Sequence, residues 1–313
     1  MKIADMHCDT INRLFFNMKD GRKVSLKTND KSVDLDKMIK GDYLLQFFAC
    51  FINTSKSDNP VSDVEGMIDL FHREINNNSE IIGVVRSYED IENNILKNRM
   101  SALLTIEEGA VLGGSIEKLY QYYNKDVRLI TLTWNFENEL GYPNGSDGGL
   151  KKTGFDIVKE MEKMHMIVDV SHLSDKGFMD VANTIKGPFA ASHSNARAIS
   201  SHRRNLTDNM IKILADHGGI MGINYFYKFL NDDDAGISRI DDMINHIKHI
   251  KKIGGIDVIG LGSDFDGIDG KLEMEDCSQV PILLERLNAA GFSYDEIDKI
   301  AGKNVLRFLK DVL

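Results

Sequence analysis

Short apolar runs alternate along the chain with longer stretches whose apolar residues recur at helical spacing. Eight such runs cover residues 3–7, 44–52, 102–106, 127–134, 166–170, 189–192, 220–225 and 258–262, and a further run at 81–85 reads as an outlying strand. Runs that are apolar at successive positions predict strands buried on both faces, as in parallel sheets. Between them, Val64, Met67, Ile68 and Phe71 fall on one helical face within 61–78, and Ile240, Met243, Ile244, Ile247 and Ile250 do so within 238–253. Residues 156–165, 208–216 and 301–313 also read as helical. The stretch 138–154, rich in glycine and asparagine, is loop-like, but the rhythm continues on both sides of it. Eight strand-then-helix units predict an α/β fold, a (β/α)8 TIM-type barrel forming a single domain over residues 1–313.

The polar residues sharpen this choice. His7 and Asp9 follow the first run, Glu107 the third, His172 the fifth, His193 the sixth and Asp264 the eighth. In a barrel, strand ends share one rim, where barrel enzymes build their sites. An open sheet would spread the same residues along an edge.

Composition narrows the partners. The 313 residues carry 38 basic and 48 acidic side chains, a net charge of −10, with a pI near 5.4. So acidic a surface argues against nucleic acid or an anionic membrane as the main partner. The three cysteines Cys8, Cys50 and Cys277 are odd in number, widely spaced and without a CxxC pair, which argues against a thiolate zinc site and a disulfide framework. The opening MKIADMHCDT lacks the apolar run of a signal peptide, and no stretch approaches the ~20 apolar residues of a membrane span. The expectation is a cytoplasmic protein.

The strand-end residues carry metal chemistry. His7 and Asp9, at i and i+2, can share one face of a strand and reach one cation. A carboxylate at a buried strand end needs a partner or a metal, and its two oxygens can bridge two cations; here either Glu107 or Glu108 fits. His172 and His193 each close an apolar run after a serine, and imidazole is a common zinc ligand. Each feature alone has an ordinary structural reading; together His7, Asp9, Glu107, His172 and His193 supply the five ligands of a carboxylate-bridged pair of metals. Such a pair would bind a hydroxide between them and polarise a carbonyl. An all-nitrogen-and-oxygen donor set favours two Zn2+ per chain, with Mn2+ or Fe2+ able to substitute. Asp264, in a glycine-rich strand end with Asp266, is placed to transfer a proton. Arg203 and Arg204 could clamp a substrate carboxylate.

Taken in order, His7-Cys-Asp9, Ile106-Glu107-Glu-Gly, Asp169-Val-Ser-His172, Ser192-His193-Ser-Asn, Arg203-Arg204-Asn205 and Asp264-Phe-Asp266-Gly267 resemble the renal (membrane) dipeptidase family of amidohydrolase-like barrels. The resemblance covers nearly the whole chain. It implies that His7 and Asp9 hold one zinc, that His172 and His193 hold the other, and that Glu107 rather than Glu108 bridges them. It further implies that Arg204 binds the substrate carboxylate, that Asp264 transfers the proton, and that the protein is a homodimer. Two positions depart from the pattern: Trp134 stands where the family has a substrate-contacting histidine, and Glu108 replaces the first glycine of a Gly-Gly pair. Trp134 and Asn135 offer an indole N–H and an amide there as substrate contacts. No counterpart of the family's secretion signal or lipid-anchor tail is expected.

The expected function is a metal-dependent dipeptidase that cleaves small peptides, including those with a C-terminal D-residue, by a dizinc-bridged hydroxide. N-acyl amino acid hydrolysis or lactone hydrolysis on the same dinuclear site is the alternative, because Trp134 alters the substrate pocket. A deaminase is disfavoured, since those of the wider superfamily usually open with His-x-His.

Overall fold

The computed structural model describes residues 1–233 and 235–313. Parallel strands β1 (Ile3–Asp5), β2 (Tyr43–Phe51), β3 (Ile82–Val84), β4 (Met100–Glu107), β5 (Val127–Thr131), β6 (Ile167–Asp169), β7 (Ala190–Ala191), β8 (Ile220–Ile223) and β10 (Ile259–Leu261) form one sheet. Its order is β2-β1-β10-β8-β7-β6-β5-β4, and direct β2–β4 pairing from Leu45↔Ser101 to Phe51↔Glu107 closes it into an eight-stranded barrel. The outlying β3 pairs with the start of β4 (Ile82↔Met100), below the point where β5 joins it (Leu104↔Val127). Two short strands, β9 (Ile237–Ser238) and β11 (Lys271–Leu272), pair with each other outside the barrel.

The expected eight runs thus supply the eight barrel strands. Six of the runs are longer than their strands, because buried backbone pairing continues past the regular ladder: Leu132 and Val170 are buried beyond β5 and β6 and still donate to Asp169 O and Ala190 O. The helix expected over 208–216 spans Asp208–Asp216, capped by the Thr207 side chain accepting from Met210 N–H. Those expected over 61–78 and 238–253 span Pro60–Asn77 and Ile240–Gly254.

Strands buried on both faces explain the continuous apolar runs. Ala4, Leu45, Phe47, Leu103, Leu129 and Ile220 point into the barrel, where Val305, Phe308 and Leu309 of the last helix, Asn304–Val312, pack against them. Side chains such as Ile3, Phe48, Leu104 and Ile106 point outward to a second core beneath the helices. Across the top, register aligns Phe51, Glu107, Thr131, Asp169 and Ala190 on successive strands. That rung fixes the height at which the polar side chains emerge. The glycines at the end of β10 allow a close backbone approach: a Cβ on Gly262 would strike the Ser192 carbonyl oxygen.

Candidate metal centre

The carboxyl ends of the strands converge. His7, Asp9, Glu107, His172, His193 and Asp264 are all buried. Glu107, the last residue of β4, presents its two oxygens to two different sets of partners. Oε2 lies 3.3 Å from His7 Nε2, which in turn lies 3.4 Å from Asp9 Oδ2. Oε1 lies 3.0 Å from His172 Nε2 and 3.6 Å from His193 Nε2, and the two histidine nitrogens are 3.0 Å apart. His7, Glu107 and His193 each offer an atom within 4.8 Å of one another, as do His7, Asp9 and Asp264.

Glu108 points away. Its carboxylate accepts from Ala110 N–H, Trp134 N–H and Asn138 Nδ2 at 2.9, 3.2 and 2.6 Å. A positive φ of 106° turns the backbone between the two glutamates. His172 and Asp264 also sit in the left-handed region, at 66° and 63°, so each chain turns sharply where it leaves its strand.

The donor chemistry fits divalent cations. His7 Nε2 and Asp9 Oδ1 are buried without a hydrogen-bond partner, a costly arrangement that metal coordination would relieve. Burial opposes ionisation of Glu107, but His7 and His172 hold it well below the usual carboxylate range. Burial would lower His7, yet the Glu107 and Asp9 carboxylates raise it well above its ordinary value. Burial lowers His172 to about 4, and burial together with His7 and Arg204 lowers His193 far below its usual value, which favours the neutral form of these two rings. Imidazoles and crowded carboxylates, without sulfur, suit zinc, manganese or iron.

Asp264 stands at the rim of this cluster. Its Oδ2 accepts from Asn224 Nδ2 at 2.8 Å, and its Oδ1 lies 3.9 Å from His7 Nε2. Burial, opposed by His7 and reinforced by Asp9 and Glu107, raises it to about 8. Asp266 faces elsewhere, accepting from Thr10 Oγ1 and Ser32 N–H. A Cβ on Gly267 would collide with Asp9 Oδ2 and Asp264 Oδ1, so only glycine lets this turn pass.

A cleft of about 350 Å³ opens above, lined by Arg13, Phe51, Trp134, Phe226 and Phe229 among others. Arg204 lies in the adjoining recess with His202 and Phe229. Its Nη1 donates to Ser194 Oγ and its Nη2 to His193 O, while Nε has no partner. Arg203 is exposed and reaches Gly145 O. Trp134 packs its indole 4.9 Å from Phe51 and 6.2 Å from His172, forming one wall. Asn135 turns toward the centre: its Oδ1 is 2.9 Å from His172 Nδ1.

Asn224 lies inside the apolar run 220–225 and has no partner in any local motif, so the sequence does not mark it; Gly267 is legible only as the end of a motif, because its close approach to Asp9 joins residues far apart in the chain.

A family model described as membrane dipeptidase (peptidase family M19) matches residues 1–313. The chain is 34% identical over 294 residues to "Dipeptidase aclJ" of Aspergillus oryzae, covering 90% of this chain and 70% of that protein. It is 32% identical over 337 residues to an uncharacterized dipeptidase, C965.12, of Schizosaccharomyces pombe, covering 99% and 80%. Its fold matches a metallopeptidase of Rhodobacter sphaeroides, solved with a phosphinate mimic of L-Ala-D-Ala, at a TM-score of 0.94, 22% identity and coverage of 100% and 99%. The chain belongs to the membrane dipeptidase family.

Proposed function

We propose that this member of the membrane dipeptidase family cleaves dipeptides at a dinuclear zinc centre. Membership makes it a metal-dependent peptide-bond hydrolase. The observation that supports the two-metal reading is the division of the Glu107 oxygens, one beside His7, which in turn neighbours Asp9, and the other beside His172 and His193. When bound, two divalent ions supply Lewis-acid polarisation of the scissile carbonyl and acidify the attacking water.

The chain's own residues do the rest. His7 and Asp9 would hold one ion, His172 and His193 the other, and Glu107 would serve both. Arg204, already desolvated, pairs with the free carboxylate of the C-terminal residue; its unpartnered Nε leaves a donor for it. Asp264 takes the proton of the attacking water and returns it to the departing amine as the C–N bond breaks. The Asn224 amide holds one Asp264 oxygen, leaving the other toward the centre. The wall of Phe51 and Trp134 shields the reacting bond from bulk water.

The free carboxylate is the feature the site recognises, so a D-residue at that end is tolerated. The phosphinate dipeptide mimic bound by the Rhodobacter sphaeroides neighbour supports this substrate size. The experiment is a panel of L,L and L,D dipeptides, N-acyl amino acids and lactones, with zinc added or chelated. Dipeptides should turn over fastest, and chelation should stop turnover. Metal-replete protein that hydrolyses no dipeptide would refute the reading, and faster lactone or acyl amino acid hydrolysis would replace it. Trp134→His, which installs the family residue, should alter the preference among dipeptides without changing metal content. Sedimentation equilibrium at micromolar concentration should show the homodimer; a monomer would refute that part.

A further inference from the structure

Asp169 ends β6 and is fully buried. Each contact it makes is to a donor. Oδ1 accepts the backbone N–H of Ser171 at 3.0 Å and of Ser192 at 2.8 Å. Oδ2 accepts the hydroxyls of Thr131 at 2.7 Å and of Ser192 at 2.6 Å. One carboxylate thus ties together the strand ends that carry His172 and His193.

The protons along this chain can be assigned by counting. A serine hydroxyl has one proton to give. Ser192 gives it to Asp169, which as a carboxylate has only lone pairs to offer. Toward His193 Nδ1, 2.8 Å away, Ser192 Oγ can therefore only accept. Ser171 completes the arrangement: its Oγ accepts from His193 N–H at 3.1 Å and lies 3.3 Å from Ser192 Oγ, where its own proton fits. The His193 ring proton is then on Nδ1. Its Nε2 lone pair is free, and it faces Glu107 and His172.

We propose that Asp169, acting through the Ser192 hydroxyl, is a positioning residue that fixes His193 in its Nδ1–H form and so sets how tightly the His172–His193 side of the centre holds metal. The proposal rests on the metal reading above. Its physical content is a directional relay, which a purely steric role lacks. In Asp169→Asn the side-chain oxygen can still accept the two backbone N–H groups. The amide nitrogen would take the place of Oδ2 and donate to Ser192 Oγ. The Ser192 proton then turns away from residue 169, and His193 Nδ1 at 2.8 Å is a closer acceptor than Ser171 Oγ at 3.3 Å; donating to it moves the ring proton to Nε2 and blocks the lone pair. Asp5, at the end of β1, provides a built-in control. It clamps His7 N–H and Ser263 N–H through Oδ1 at 3.1 and 3.0 Å, but among the described residues no hydroxyl relay leads from it to an imidazole; the Ser263 hydroxyl donates to the His7 carbonyl.

The test uses the full chain in two measurements. Nitrogen-15 histidine spectra of metal-free protein report which ring nitrogen of His193 is protonated, and competition with a chromophoric chelator reports zinc affinity. Wild type and Asp5→Asn should show His193 protonated at Nδ1. Asp169→Asn, with its fold checked by circular dichroism, should show the proton at Nε2 and bind one of two zinc ions roughly 10–100-fold more weakly. Ser192→Ala should also weaken that ion, and Ser192→Thr, which keeps the hydroxyl, should restore it. A folded Asp169→Asn with wild-type zinc affinity, or with its proton still on Nδ1, would overturn the proposal. If the wild type binds no zinc, the metal reading falls and the affinity half of this proposal with it; the spectra then decide the relay alone.

Discussion

Asn135 Oδ1 accepts a hydrogen bond from His172 Nδ1 at 2.9 Å, and Asn144 Nδ2 donates to the same oxygen at 3.1 Å. The sequence names Asn135 as a substrate contact; it lines the cleft, and its amide oxygen also stands behind His172, a candidate metal ligand. Such partners fix the ring orientation and the tautomer of a ligand. Asn135→Leu should therefore weaken zinc binding about 10–100-fold, while Asn135→Asp, which keeps an acceptor, should stay near wild type. Chelator competition checks this. Unchanged zinc affinity with a raised KM would return Asn135 to substrate binding.

Asp264 should act on protons and not on metal retention. Asp264→Asn keeps the shape of the side chain but cannot carry a proton. Metal content should stay nearly intact and kcat should fall by roughly 10²–10⁴, the usual scale for a positioned acid–base group. Metal analysis beside steady-state kinetics decides, and joint loss of metal and activity would make Asp264 a ligand.

Most of the barrel was legible because apolar burial on both strand faces leaves a continuous signal, as in 44–52 and 102–106. The candidate ligand positions stood out for a related reason: one buried strand that ends in histidine or a carboxylate has an ordinary structural reading, but several at matching strand ends of one rim do not. What the sequence could not separate was Glu107 from Glu108 by periodicity. Their difference lies in a backbone turn at Glu108 and in the partners Trp134 and Asn138, which are distant in sequence. Asp169 appeared in the sequence only as part of a motif. Its role depends on Thr131 and Ser192, which barrel register brings to its side.

Gly267 guards the carboxylates by having no side chain. Gly267→Ala would push a methyl group into Asp9 Oδ2 and Asp264 Oδ1. The expected result is a marked loss of both metal and kcat, with little change in thermal midpoint because the barrel core is untouched. Full metal content and full activity in this variant would mean that the two carboxylates do not hold these positions.

His246 gives a pH dependence separate from catalysis. It is buried in the helix Ile240–Gly254, accepts from Ala196 N–H at 3.1 Å and faces Leu230 O at 2.9 Å. Burial lowers it from 6.5 to about 4. The unfolded chain therefore takes up this proton first as pH falls. The stability tied to neutral His246 is complete above pH 6.5 and is lost on descending toward about 4. Urea unfolding at stepped pH should show His246→Gln with a slope shallower by about 1.4 kcal/mol per pH unit in that window. Identical slopes would show that His246 carries no such proton linkage.

Anomalous diffraction at the zinc edge decides whether Glu107 bridges two metals. Zinc-saturated crystals should show two peaks about 3.5–4 Å apart, one beside His7 and Asp9 and the other beside His172 and His193, with the Glu107 carboxylate between them. A single peak in such crystals, or a pair that Glu107 does not span, would contradict the bridge.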